Sequence, residues 1–205
     1  PKKLEELKKE FMELAEQNQD FPIGAGDWLR IHPQDRVKTP YTSWEFNQNT
    51  RRMPEFMAPG LGRQSNRVLM DIEVGDNANG VLYALGGASG GLTVYLQDGY
   101  LNYLYNMLII EQYKLTTDEP IAAGKHQIEV DTKIAGLGKA GTVVIKVDGK
   151  SVGTLKLKQT VPDAFTASET FDVGVDLGST VSLSYADLRP FEFQGKIHKM
   201  NVNLK

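Results

Sequence analysis

The sequence predicts a mainly β protein, built as a two-sheet antiparallel β-sandwich, and three observations carry that expectation. From Arg67 onward apolar residues recur at every second position: Val68, Met70, Ile72 and Val74 alternate with Leu69, Asp71 and Glu73. That is the period of a strand with one buried face. Asp98-Gly99 and Asp148-Gly149 separate such runs, and Asp and Gly tolerate the positive φ that a two-residue hairpin turn demands. Finally, many short apolar runs are joined by Gly-rich connections, with almost no helical period after the N-terminus. This is the pattern of sheet packed on sheet.

Taken in order, residues 1–19 form an N-terminal helix, helical from Pro1 to Asn18. Leu4, Leu7, Phe11 and Leu14 recur at spacings of three and four and make one apolar face. On the polar side Glu5 with Lys9 and Lys9 with Glu13 stand four apart, each pair worth about 0.2–0.5 kcal/mol. The stripe fits docking on a partner domain or packing on the chain's own sandwich. Residues 20–65 lack periodicity and are punctuated by Pro22, Pro33, Pro40, Pro54 and Pro59, with a strand-like SWEFNQ at Ser43–Gln48. A segment of this kind is expected to wrap another surface, because Trp28, Trp44, Phe46, Phe56 and Met57 are costly to leave in water.

Residues 66–205 are the sandwich. The Asp98-Gly99 turn pairs Leu96 with Leu101, Val94 with Tyr103 and Leu92 with Tyr105, which assigns these six to the core. Gln97 with Tyr100, Tyr95 with Asn102 and Thr93 with Leu104 fall on the other face. The second hairpin groups Val143, Ile145, Val147 and Val152, after which the apolar phase slips to Leu155 and Leu157; a bulge at Gly153 is expected. The last strand slips likewise between Ile197 and Met200, which places a bulge near His198.

A length of 205 residues supports one well-buried core with an appendage. The net charge of −3, with acidic and basic residues interspersed, argues against a nucleic-acid partner. Apolar runs such as Met107 to Ile110 are strand-sized and too short for a membrane span. The absence of Cys excludes disulfides, thiolate catalysis and cysteine-ligated zinc. No secretory signal is evident, and a start at Pro1 rather than Met is read as a processed or partial polypeptide.

Six of the eight tyrosines fall between Tyr83 and Tyr113. Aromatic rings beside amides can stack on sugars and bond their hydroxyls, so Tyr95, Tyr100 and Asn102, on the non-core face, are the candidate carbohydrate ligands. Asp172 and Asp176 flank Val173-Gly174-Val175, with Asp163 and Glu169 nearby. Their spacing is not that of an EF-hand; they are the candidate metal residues, beside the plainer reading of turn-forming aspartates. A sandwich glycosidase would need carboxylates on alternate residues of one strand, but Leu69 stands before Asp71 and Glu73 where the series requires an acid. His32, His126 and His198 are scattered without metal-ligand spacing, and the Gly-rich stretches 86–91 and 136–141 read as hairpin connections, not phosphate loops. Arg51-Arg52 reads as solvated surface or an internal ion pair. No residue is assigned a catalytic role.

The run GVLYALGGASGGLTVYLQDGYLNYLYNMLIIEQYKL from Gly80 to Leu115, with PIAAGK from Pro120, GLGKAGTVV from Gly136, FDVGVDLG from Phe171 and PFEFQGKI from Pro190, resembles the C-terminal region of bacterial arylsulfatases. The resemblance implies a concanavalin-like jelly roll. That family's catalytic domain uses a formylglycine made from a C/S-x-P-x-R motif and a divalent cation such as calcium; the motif is missing from this chain. The resemblance therefore implies a non-catalytic accessory domain of a sulfuric ester hydrolase, packed on a sulfatase catalytic domain in cis and shaping its cleft or oligomer contacts. It also implies a bacterial periplasmic or extracellular setting, and a cation or domain-contact role for the acidic residues near Asp172 and Asp176. The alternative, on the sandwich and its tyrosines, is a lectin-like module that binds carbohydrate, sulfated glycans included.

Overall fold

The structure is a computed structural model that describes residues 2–18, 40–166 and 168–205. Residues 20–39 of the expected wrapping segment, with Pro22, Trp28, His32 and Pro33, lie outside the described residues. The chain divides into two units, Pro1–Pro40 and Tyr41–Lys205.

In the first unit, helix α1 spans Lys2–Gln17. Its surface charges pair Lys8 with Glu5 at 3.0 Å and Lys9 with Glu13 at 3.7 Å. Glu5 thus bonds three residues onward, where the spacing alone predicts four. Leu4, Leu7, Phe11 and Leu14 keep about half their surface exposed.

The second unit is an antiparallel sandwich. Its strands are β1 (Ser43–Phe46), β2 (Met53–Pro54), β3 (Asn66–Val74), β4 (Gly80–Gly87), β5 (Gly90–Gln97), β6 (Tyr100–Met107), β7 (Glu111–Thr116), β8 (Gly124–Ile134), β9 (Gly141–Val147), β10 (Lys150–Leu157), β11 (Thr170–Val173) and β12 (Lys196–Leu204). One six-stranded sheet runs β1-β12-β3-β8-β9-β10 and the other β2-β11-β4-β5-β6-β7. Two short strands, β1 and β2, thus come from the expected wrapping segment and join the sheets, β1 at the SWEF run that looks strand-like in the sequence. The long crossovers between sheets give the jelly-roll layout.

The register follows the hairpin chemistry. Leu96 faces Leu101, Val94 faces Tyr103 and Leu92 faces Tyr105. The pairing of β10 with β9 shifts between Ser151 and Gly153, and that of β12 with β3 between Ile197 and Lys199. Each extra residue re-phases its strand, so both halves of its apolar set stay inward. The core between the sheets joins Val68, Met70 and Ile72 to Val94, Leu101 and Tyr103, with Ile145 and Met200 completing it.

The two sheets differ on their outer faces. That of the first sheet is a solvated lattice of charges: Glu129 accepts from Arg67 at 2.6 Å and from Lys146 at 3.0 Å, and Lys205 reaches Asp131 at 2.8 Å. Asp71 and Glu73 belong to it, accepting from Gln127 at 3.0 Å and bonding His198 at 3.1 Å. The outer face of the second sheet is covered by the segment 174–191, tied down by Gly174 N to Leu82 O and Val81 N to Phe191 O, both 2.9 Å. Val181, Tyr185 and Phe191 from that segment bury Val81, Ala84, Tyr95 and Leu104 in a second apolar cluster. Alternation is therefore lost in β4, where every residue is buried.

Candidate functional site

Strand β10 lies at one edge of the first sheet and β7 at one edge of the second, and the two approach closely: a Cβ on Gly153 would stand 2.6 Å from Leu115 Cδ1. Beyond that closure, at one end of the sandwich, the sheets part. The loop from β7 to β8 forms one wall of an open groove of about 600 Å³ and the β9–β10 hairpin the other. Asp118 and Glu119 come from the loop, Asp148, Lys150 and Ser151 from the hairpin, and His126 from the start of β8 between them. Pro120 and Val152 add apolar surface.

Both walls are fixed by local hydrogen bonds. Thr117 N donates to Leu101 O at 3.0 Å, and Thr117 Oγ1 accepts from Leu101 N at 3.1 Å. Ile121 N donates to Gly99 O at 2.8 Å, so the loop is held to the β5–β6 turn, which presents Tyr100. In the hairpin, Asp148 at φ +51° and Gly149 at φ +78° make the left-handed turn. Asp148 N donates to Gln127 O at 2.9 Å, and Asp148 Oδ1 accepts from Gln127 N at 2.8 Å. His126 Nδ1 lies 2.7 Å from Asp148 Oδ2, and its Nε2 lies 2.9 Å from Ala122 O. The Gln127 N–H, and after it the His126 ring, hold the Asp148 carboxyl below its usual range. Asp118, Glu119 and Lys150 make no side-chain hydrogen bond or ion pair among the described residues, so their polar groups are open to a ligand.

The sequence-predicted ligand residues occupy three different environments. Tyr100 is 38% exposed and follows Gly99, whose carbonyl accepts from Ile121 N of the loop. Tyr95 is 0% exposed: its ring meets Tyr185 edge-on at 4.9 Å, and its hydroxyl bonds Ser184 Oγ at 2.9 Å. Asn102 is buried, donating to Tyr100 O at 2.9 Å and accepting from Thr116 Oγ1 at 2.7 Å. The assigned face is right, but the segment 174–191 lies over Tyr95. Asp172 accepts from Arg52 N at 2.6 Å and from Thr170 Oγ1 at 2.8 Å. Asp176 Oδ2 accepts from Val181 N at 2.9 Å and from the Tyr185 hydroxyl at 2.6 Å. Among the described residues no three His, Asp or Glu side chains converge as metal ligands do. Arg51 pairs with Glu192 at 2.8 Å. Sequence reasoning leaves His126 as an ordinary residue; its only local signal is the Asp148-Gly149 turn, which the β8–β9 register carries to its side.

No family model matches the chain, and no curated protein matches it. Among solved structures it is similar to domains LG4-5 of the mouse laminin α1 chain, at 14% identity over 82% of this chain and 45% of that one, with a TM-score of 0.56. It is also similar to the CBM40 domain of the Ruminococcus gnavus IT-sialidase bound to α2,3-sialyllactose, at 15% identity over 80% of this chain and 90% of that one, TM-score 0.51. A leech intramolecular trans-sialidase matches at 12% identity over 78% of this chain and 25% of that one, TM-score 0.52. The chain spans under half the length of the laminin fragment. At such identities the likeness establishes the fold, a two-sheet β-sandwich. It corrects the expected arylsulfatase parentage: the neighbours are laminin and sialidase domains, not sulfatase C-terminal domains. The D-G motif behind that expectation is what a left-handed hairpin turn requires in any sandwich, and the glycines of G-G-x-x-G-G stand where a Cβ would meet the neighbouring strand or loop. The divalent cation, the formylglycine and the catalytic-domain partner rest on that resemblance alone. No described helix is long and apolar enough to cross a membrane.

Proposed function

We propose that the chain is a carbohydrate-binding, lectin-like module that takes its ligand in the groove between the β7–β8 loop and the β9–β10 hairpin. The observation that carries this reading is the concentration of uncommitted polar groups there. Asp118 and Glu119 supply acceptors, Lys150 donors and Ser151 a hydroxyl, around an open space of about 600 Å³. Hydroxyl-rich ligands are recognised by such alternating donors and acceptors, with an aromatic ring beside them for the sugar face; we assign that part to Tyr100, which follows Gly99, the residue whose carbonyl holds the loop. The fold shared with a sialidase CBM40 domain supports the reading.

Charge sets the order of ligands. Three carboxylates, Asp118, Glu119 and Asp148, line the groove against Lys150 and His126, and Asp148 is already bonded to His126. Neutral sugars should therefore bind better than sulfated or sialylated ones. The test is a glycan array followed by calorimetry with the best ligand. Lys150→Ala and Asp118→Ala should each weaken binding about tenfold, the effect of one lost hydrogen bond to a charged group. Binding that survives both substitutions unchanged, or no binding to any glycan, overturns the proposal.

A further inference from the structure

We infer that His126 is a proton-dependent latch between the two walls of this groove. The inference deepens the carbohydrate reading only in what the latch controls; the latch itself rests on hydrogen-bond geometry. Both ring nitrogens face groups that only accept: Nδ1 faces the Asp148 carboxylate at 2.7 Å, and Nε2 faces the Ala122 carbonyl at 2.9 Å. A neutral imidazole carries one N–H and satisfies one of these bonds; the imidazolium carries two and satisfies both. When the proton is lost, the N–H stays with the carboxylate, because a hydrogen bond to an ionised acceptor is the stronger. The Nε2 lone pair is then left against the Ala122 carbonyl, and the loop wall loses its tie to β8.

The surroundings favour such a switch. The hairpin brings Asp148 and Lys150 to the ring, and the loop brings Asp118 and Glu119. On its own strand His126 is flanked by Lys125 and Gln127, and across β3 it pairs with Ile72, while Glu73, opposite Lys125, is bonded to His198. The Asp148 carboxyl is held ionised by the Gln127 N–H as well, so the proton that moves belongs to the ring. Next to Ala122 the loop is tied by the Ile121 N to Gly99 O bond, which opens more often once the Ala122 bond is lost, and that amide is the natural reporter.

The experiment is amide exchange by NMR on the full chain without ligand, corrected for intrinsic exchange, at pH 5 and pH 8. The Ile121 amide should lose about tenfold in protection between the two, the effect expected of one lost hydrogen bond. Its midpoint should coincide with that of the His126 ring nitrogens. In His126→Gln it should be weakly protected at both pH values, with core amides such as Val94 unchanged. Equal protection at both pH values in the wild type, a midpoint unrelated to the ring, or the same loss in His126→Gln overturns the latch. A sugar titration at both pH values separates the two readings. A latch that switches without any sugar binding sinks the carbohydrate reading alone; a sugar bound equally tightly at both pH values removes the latch from control of the groove.

Discussion

The Tyr185 hydroxyl donates to Asp176 Oδ2 at 2.6 Å, and both side chains are buried beneath the outer cover of the second sheet. The bond ties the start of the segment 174–191 to Tyr185, the residue that meets Tyr95 edge-on. No protein group among the described residues reaches the second oxygen, Oδ1. Burial accordingly pushes the Asp176 carboxyl up to about 6, against the lowering by Tyr185 and by the Val181 N–H.

This makes the cover sensitive to acid in an unusual direction. The folded state holds the Asp176 proton more tightly than the unfolded state, whose value is the ordinary 3.8. The contribution to stability is full below pH 3.8 and is lost as pH rises through about 6. Asp176→Asn cannot titrate, so urea denaturation of wild type and variant should diverge over that window. The variant should gain relative to wild type by up to about 3 kcal/mol, the upper figure for a shift from 3.8 to about 6. A constant difference across the window would remove Asp176 as the titrating group.

Tyr95 and Tyr100 separate folding from recognition. Tyr95→Ala empties a site with no exposed surface and should cost about 3–5 kcal/mol, the range for a buried aromatic. Tyr100→Ala should cost under about 1 kcal/mol in stability and weaken glycan binding severalfold. Thermal unfolding and calorimetry on the two variants check this. A destabilised Tyr100→Ala with intact affinity would move the ligand away from that end of the sandwich.

What could be read from the sequence follows the range of the interactions. The pairing of Val94 with Tyr103 and the bulges near Gly153 and His198 rest on alternation and two-residue turns, both local, and the structure keeps them. The cover over Tyr95 comes from Val181, Tyr185 and Phe191, which show no period and lie more than eighty residues away in the chain. The pairing of Tyr95 with Asn102 is therefore legible, but not their burial. The groove fails to show for the same reason: His126 and Asp148 meet only once β8 and β9 are in register.

Glu55 is the second such long-range tie. Its Oε1 accepts from Phe165 N at 2.7 Å and its Oε2 from Thr166 N at 2.9 Å, at the opposite end of the sandwich from the groove. Burial raises its pKa in spite of both bonds, a measure of how dry the site is. Glu55→Ala would leave two N–H groups without acceptors and should cost about 2–4 kcal/mol. Glu55→Gln, which keeps one acceptor oxygen, should cost roughly half as much. Equal losses in urea titrations of the two would show that packing, not hydrogen bonding, holds this loop.

The β6–β7 turn stores strain that can be released. Ile110 N donates to Met107 O at 2.9 Å, closing a turn whose central residues, Leu108 and Ile109, have φ of +51° and +64°. Both angles are left-handed, where the turn favours Asn and Gly and where a β-branched residue is an outlier. Leu108 packs against the core, which offsets its cost. Ile109 is 70% exposed and has no such compensation. Left-handed backbone costs a residue with a Cβ about 1–2 kcal/mol, and Asn, which enters this region more readily, recovers part of that without the added unfolded-state freedom of Gly. Ile109→Asn should therefore stabilise the protein by about 0.5–1 kcal/mol, raising Tm by roughly 1–4 °C for a domain of this size. The same change at Leu108 should destabilise it, because there the lost packing outweighs the relief of strain. Differential scanning calorimetry of the two single variants decides the matter, and a lower Tm for Ile109→Asn would show that this isoleucine is held in place by a contact that outweighs its backbone strain.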